Sequence, residues 1–200
     1  MIDIHQTAIL EGNIVFEGSN IFVGPYAVIQ GNVILGENVQ IGAGSVIGLP
    51  AEHLLQAERQ EVIIGAGSII RENVIIHAGM HQPTVIGTDC FIMSGSYLAH
   101  DCVLEQGVII SSGCRLAGHV HLMKKCNLGM SVLVHQYAVI GSYSMLGMGS
   151  VVIKGSRVEP GMKYAGIPVR FLSRNSHALE KHEVGAEELA TETERFYAML

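Results

Sequence analysis

Ten histidines stand in a chain that is otherwise strongly aliphatic, and one of them is arranged for proton transfer. His100 is followed directly by Asp101. A carboxylate beside an imidazole can fix its tautomer and support its cationic form. Gly118 comes 18 residues after His100, and Gln136 another 18 on. A glycine at a turn can leave its N–H free to receive a developing oxyanion. Base, orienting acid and N–H donor are the parts that an acyl transfer needs, if some element brings residues 18 apart together.

That element is legible as a period of six. From Ile86, every sixth residue is Ile92, Leu98, Leu104, Ile110, Leu116, Leu122, Leu128, Val134, Ile140, Leu146, Val152, Val158 and Tyr164. The same frame runs through Val23, Ile29, Leu35, Ile41 and Ile47, and again through Ile64, Ile70 and Ile76. Four positions after each aliphatic residue stands a small one, among them Cys90, Ser96, Cys102, Cys114, Cys126, Ser144 and Ser150. Separations of two and four put both columns on one face of short strands, and the remainder of each six is turn. The 24 glycines, against five prolines, suit that many tight turns. Three such sixes make a triangular coil of 18 residues, whose circuits stack as parallel strands roughly 4.8 Å apart. His100, Gly118 and Gln136 then form one vertical column, with His119 and His135 beside it and His77 at a comparable place after Ile76. None of these falls in an inward column, so they project outward or sit at a corner. The general preference for right-handed crossovers predicts a right-handed coil.

The predicted architecture is all-β: a parallel β-helix of hexapeptide repeats over residues 1–172, then a short helical extension over 173–200. In the extension, Leu179, Ala186, Leu189, Phe196 and Leu200 are loosely spaced for a helix that Gly185 interrupts. Two segments break the period: Leu49–Glu61, with Glu52, His53, Gln56, Glu58 and Arg59, and Ala78–Val85. Loops inserted in regular coils usually carry function. His5, His53, His121, His177 and His182 read as surface histidines capping turns.

The four cysteines all occupy the small inward column and read as buried fillers. Cys90 and Cys126 lie two coils apart, about 9–10 Å by the strand spacing, too far for a disulfide. There is no Cys-x-x-Cys pair for a zinc site of that kind. The net charge of −6 argues against a nucleic-acid binder. No signal peptide opens the sequence and no apolar run is long enough to span a membrane, so a cytoplasmic protein is expected.

The segments Arg71-Glu72-Asn73-Val74-Ile75-Ile76-His77, Leu98-Ala99-His100-Asp101-Cys102, Leu116-Ala117-Gly118-His119-Val120 and Val134-His135-Gln136-Tyr137 occur in that order. Together they resemble the signature of the UDP-N-acetylglucosamine O-acyltransferases of lipid A synthesis, and the opening Ile4-His5-Gln6-Thr7-Ala8-Ile9 is similar to that family's start. The resemblance covers about residues 2 to 175. It implies the left-handed exception to the crossover rule. It also implies transfer of a 3-hydroxyacyl group from acyl carrier protein to the 3-hydroxyl of UDP-N-acetylglucosamine. His100 would be the general base, Asp101 would orient it, and the Gly118 N–H would hold the oxyanion. His77, His119, His135 and Gln136 would hold the nucleotide sugar and the pantetheine arm. The resemblance further implies a homotrimer with active sites between neighbouring β-helices, and no metal or prosthetic group, the phosphopantetheine-bearing carrier protein being the donor substrate. Met148 falls where the family sets acyl-chain length, and a bulky residue there implies a chain near ten carbons.

The sequence departs from the family at three places. Tyr97 replaces a common active-site histidine. The first insertion reads Ala51-Glu52-His53-Leu54-Leu55-Gln56 in place of an Asp-Leu-Lys substrate segment. The helical tail is shorter, with Asn175 matching a family asparagine near the substrate and Lys181 standing for its basic residues. These departures bear on substrate, and keep open a different nucleotide (amino) sugar or an acyl-coenzyme A donor. A γ-type carbonic anhydrase would instead need three histidines converging between subunits, for which His77, His100 and His119 are available. A non-catalytic scaffold would leave the His100–Asp101 pair without a role.

Overall fold

The computed structural model describes residues 1–54 and 60–199, and in it the chain winds as a parallel β-helix with three faces. Gln56, Glu58 and Arg59 of the first insertion lie outside the described residues. The first face stacks Val46–Leu49, Ile75–His77, Tyr97–Leu98, Arg115–Leu116, Leu133–Val134 and Val151–Val152. Its register pairs Tyr97 with Arg115, Arg115 with Leu133 and Leu133 with Val151, so the 18-residue circuit holds through this part. The second face runs from Val62–Ile64 through Thr84–Ile86, Val103–Leu104, His121–Leu122 and Val139–Ile140 to Arg157–Val158. A long strand, Val28–Gly36, turns the corner between these faces and joins them into one 14-stranded sheet. The third face is a 10-stranded sheet that ends in the antiparallel pair Met162–Ala165 and Arg170–Arg174.

The aliphatic column is the core: Ile86, Ile92, Leu98, Leu104, Ile110, Leu116 and their successors are fully buried. The small column does more than fill space. Ser68 Oγ donates to the Gly87 carbonyl at 2.7 Å, and the Cys90, Cys102 and Cys114 thiols donate to the carbonyls of Glu105, Ala117 and Gly129 at 3.2, 3.3 and 3.1 Å. Each thus satisfies a corner carbonyl of the next coil that the ladder leaves over. All four cysteines are free and buried. Burial pushes the Cys90 thiol up to about 11 and the Cys102 thiol up to about 12, which keeps them protonated and unreactive.

Both insertions leave the coil at the corner between the first and second faces. Ile47 pairs with Ile76 across the first insertion, and Ile76 with Leu98 across the second. Both therefore lie directly beneath the corner at which His100, Gly118 and Gln136 stack. At the far end, helices α1 (Ser176–Lys181) and α2 (Ala186–Ala198) fold back, with Gly185 at the break between them. Phe196 of α2 is buried against Met123 and Val139, and Glu192 accepts from Ser142 Oγ at 2.6 Å and pairs with Lys124 at 3.0 Å. These contacts strap α2 to the outside of the second face. No helix among the described residues is long and apolar enough to cross a membrane.

Candidate active site

His100 and Asp101 occupy the turn that leaves Tyr97–Leu98, and both are buried. Asp101 takes the left-handed conformation at φ 60°, a turn position that aspartate tolerates better than most side chains. Its carboxylate is held from two sides. Oδ1 accepts three successive backbone N–H groups of the second insertion, from Met80 and His81 at 2.9 Å and Gln82 at 3.0 Å. Oδ2 lies 2.7 Å from His100 Nδ1. The loop also holds the Asp101 backbone: Thr84 Oγ1 accepts its N–H at 3.0 Å, and Gln82 Nε2 donates to its carbonyl at 3.1 Å. Burial alone would raise the Asp101 carboxyl. The N–H of Gln82, the His100 imidazole and the N–H groups of His81 and Met80 outweigh it and hold the carboxyl at about 2.

An ionised Asp101 only accepts, so His100 Nδ1 carries the proton of the shared bond and Nε2 is left with its lone pair. The ring lies across Gly118. A Cβ there would sit 2.6 Å from His100 Cε1 and 2.7 Å from Nε2, so only glycine leaves room for the imidazole. The Gly118 carbonyl accepts from Tyr137, while its N–H donates to no backbone group among the described residues. The imidazole of His100 and the Gly118 turn are thus in direct contact.

Above Asp101 in the same turn position come His119 and Tyr137, with φ 60° and 62°. Their rings stack at 4.6 Å between centroids. His119 meets His100 edge-on at 5.1 Å, and its Nε2 stands 3.4 Å from Asp101 Oδ2. Burial, with His100, His81 and His53 nearby, lowers the His119 pKa against the opposing pull of Asp101. Beside this column the first face carries an open groove of about 600 Å³, lined by Tyr97, Ala117, Leu133, His135, Gln136 and Glu52 among others. The Tyr97 hydroxyl donates to Glu52 at 3.1 Å, and burial together with Glu52 pushes its phenol up to about 12.

The structure therefore brings His100, Asp101, Gly118 and His119 into contact, with Gln136, His135 and Tyr97 on the adjoining groove. His77 is buried below them, its Nδ1 donating to the Pro50 carbonyl at 2.7 Å and its ring 5.3 Å from Tyr97. His135 is exposed, and its Nδ1 accepts the Gln136 N–H at 2.7 Å. Met148 stands at the opposite edge of the first face, stacked on Met130, and both are exposed. Asn175 lies farther off, its amide donating to the Tyr143 carbonyl at 2.8 Å where α1 attaches. His100 sits at a corner, one of the two placements expected, and His77 ends the strand Ile75–His77; both are buried. Two further histidines join the cluster. His53, read from the sequence as a surface residue, meets His100 edge-on at 5.9 Å, and His81 stacks on His119 at 5.8 Å. Their signal was the pair of insertions that break the repeat. Among the described residues of one chain, the donor atoms of His81, Asp101 and His119 lie within 4.8 Å of one another.

A hexapeptide-repeat β-helix with a buried imidazole–carboxylate pair over a glycine turn is the class that fold and site define. A family model for bacterial transferase hexapeptides (six repeats) matches residues 18–49 and 83–118. Over those residues the chain is similar to that hexapeptide-repeat family. It is 33% identical over 135 residues to the acyl-[acyl-carrier-protein]–UDP-N-acetylglucosamine O-acyltransferase of Pseudomonas paraeruginosa, a match covering 66% of this chain and 52% of that protein. The chain thus spans about half the length of the curated relatives that it matches. Among solved structures it is similar to LpxA from Acinetobacter baumannii, at 26% identity and a TM-score of 0.73 over 96% of this chain and 81% of that one. The UDP-N-acetylglucosamine acyltransferase from Campylobacter jejuni shares the fold, with a TM-score of 0.81 at 23% identity over 97% and 83% of the two chains. The coil is left-handed, as in those structures. The left-handed coil that the resemblance implies is the one observed; the right-handed preference is framed for strands joined by helices, whereas here tight turns join strands mostly of two or three residues.

Proposed function

We propose that this protein is an acyltransferase that moves a 3-hydroxyacyl group from acyl carrier protein to the 3-hydroxyl of UDP-N-acetylglucosamine. The observation that carries the reading is the His100 imidazole, bound at Nδ1 by Asp101 and laid across Gly118 with Nε2 over the glycine. His100 Nε2 takes the sugar hydroxyl proton as the oxygen attacks the thioester carbonyl. The Gly118 N–H receives the oxyanion. Collapse of the tetrahedral intermediate breaks the C–S bond, and the departing pantetheine sulfur takes the proton from His100. A base of this kind contributes on the order of 10²–10⁴ in rate, and an oxyanion donor about 3–4 kcal/mol. His77, His119, His135, Gln136 and Tyr97 border the path for sugar and pantetheine, with no cofactor in the scheme. The open groove gains its second wall from a neighbouring copy in a homotrimer, and Met148 at the edge of the face limits the acyl chain there. Asn175 reaches substrate only in such an assembly. The carrier-protein donor fits a cytoplasmic enzyme.

Incubation with UDP-N-acetylglucosamine and 3-hydroxyacyl carrier proteins of several lengths, beside His100→Ala, tests the reading. Acylated sugar nucleotide from the unaltered protein and none from the variant is expected. No product at any chain length would overturn it. The Glu52 carboxylate on the groove, hydrogen-bonded by Tyr97, favours one second reading, in which the acceptor is a nucleotide sugar bearing an amine. The same assay with an amino-sugar nucleotide separates the two.

A further inference from the structure

Asp101 has one coordination direction that the acyl-transfer scheme leaves unused. Oδ1 is occupied by three N–H groups, and Oδ2 spends one lone pair on His100. The other side of Oδ2 faces His119 Nε2 at 3.4 Å, longer than a good N–H···O bond of about 2.7–3.2 Å. Two ligand atoms each about 2.1 Å from a tetrahedral zinc ion are separated by about 3.4 Å. The third donor is already in place. His81 stacks on His119, and its ring nitrogen lies within 4.8 Å of both other ligand atoms. Its backbone N–H is tied to Asp101 at 2.9 Å, while its side chain is exposed and can turn to close the remaining distance.

We propose that His81, Asp101 and His119 form a binding site for a zinc-like divalent cation, with a fourth position left to water, and that a bound cation slows the enzyme by drawing on the carboxylate that orients His100. The cation takes no part in the reaction. The site stands on its own geometry; only the inhibition rests on the acyl-transfer reading.

Cobalt(II) titration of the chelator-treated protein reads the site directly. Tetrahedral d–d absorption is expected at one equivalent. It should weaken by more than about 100-fold in affinity, beyond the 10–100-fold lost when a residue behind a ligand is changed, in His81→Ala, which removes the ring and keeps the backbone N–H. It should persist in His135→Ala, which removes an exposed histidine elsewhere. Absence of the band, or equal affinity in His81→Ala, would overturn the site. Zinc inhibition is then measured with each protein scaled to its own rate in chelator. At least tenfold more zinc should be needed to inhibit His81→Ala than the unaltered protein. Cobalt binding with no zinc inhibition would overturn the coupling alone. If no acyl transfer occurs in chelator, the functional reading fails while the cobalt spectrum still decides the site.

Discussion

Replacing Asp101 by Asn separates the two tasks that this carboxylate performs. Oδ1 accepts from Met80, His81 and Gln82, and Oδ2 accepts from His100. An asparagine has one oxygen and one NH2 group. Turning the NH2 toward the three backbone N–H groups would set donor against donor three times. The oxygen therefore faces the loop and the NH2 faces His100. The imidazole must then accept at Nδ1, carry its proton on Nε2, and lose the lone pair required of a base. The loop contacts survive, so the fold should survive. A carboxylate-to-amide change in a comparable histidine pair costs roughly 10⁴ in kcat through the wrong tautomer, and a loss of 10³–10⁴ is expected here with KM little changed. Asp101→Ala is the contrasting variant. It leaves three N–H groups of a buried turn without their acceptor, at about 1–3 kcal/mol each, so stability should fall as well as rate. The assay pairs single-turnover acyl transfer with urea unfolding of both variants. Asp101→Asn with near-normal kcat, or with the same stability loss as Asp101→Ala, would refute this account of the carboxylate.

Gly118→Ala should lower kcat at least about 100-fold, because its Cβ would lie 2.6 Å from His100 Cε1 and displace the base; overpacking should cost about 1–3 kcal/mol, read by thermal unfolding. Acid should weaken the fold through Asp101. Its pKa falls from 3.8 to about 2 on folding, so its contribution, about 2 kcal/mol, is fully present above pH 4 and lost as pH falls toward 2. Urea midpoints at pH 5 and pH 2.5 should therefore differ more for the unaltered protein than for Asp101→Asn. Met148→Gly should shift the preferred donor from about ten carbons toward longer chains, as measured by competition among donors; an unchanged preference would detach Met148 from chain length.

How far the site was legible follows from what kind of atom each part uses. The column His100, Gly118 and Gln136 could be read because the inward residues repeat every six positions, and the observed register keeps the 18-residue circuit from Tyr97 to Val151. The small column marked the cysteines as fillers for the same reason. The loop that holds Asp101 could not be read this way. It lengthens one circuit, pairing Ile76 with Leu98, and its contribution is three backbone N–H groups, which any residues except proline would supply. His53 is a surface residue, as its place in the first insertion suggests, but that insertion has no register from which to infer its neighbour, and its ring lies 5.9 Å from that of His100. The insertions were recognised as breaks, but a break gives the place where the chain leaves the coil and not the direction in which it returns. Both leave at the one corner that carries His100. The repeat thus supplies a rigid column of turns, and the departures from it supply the carboxylate's anchor and the second rank of histidines. Substitutions in the insertions should therefore change what the site binds, while substitutions in the column should change whether it reacts at all.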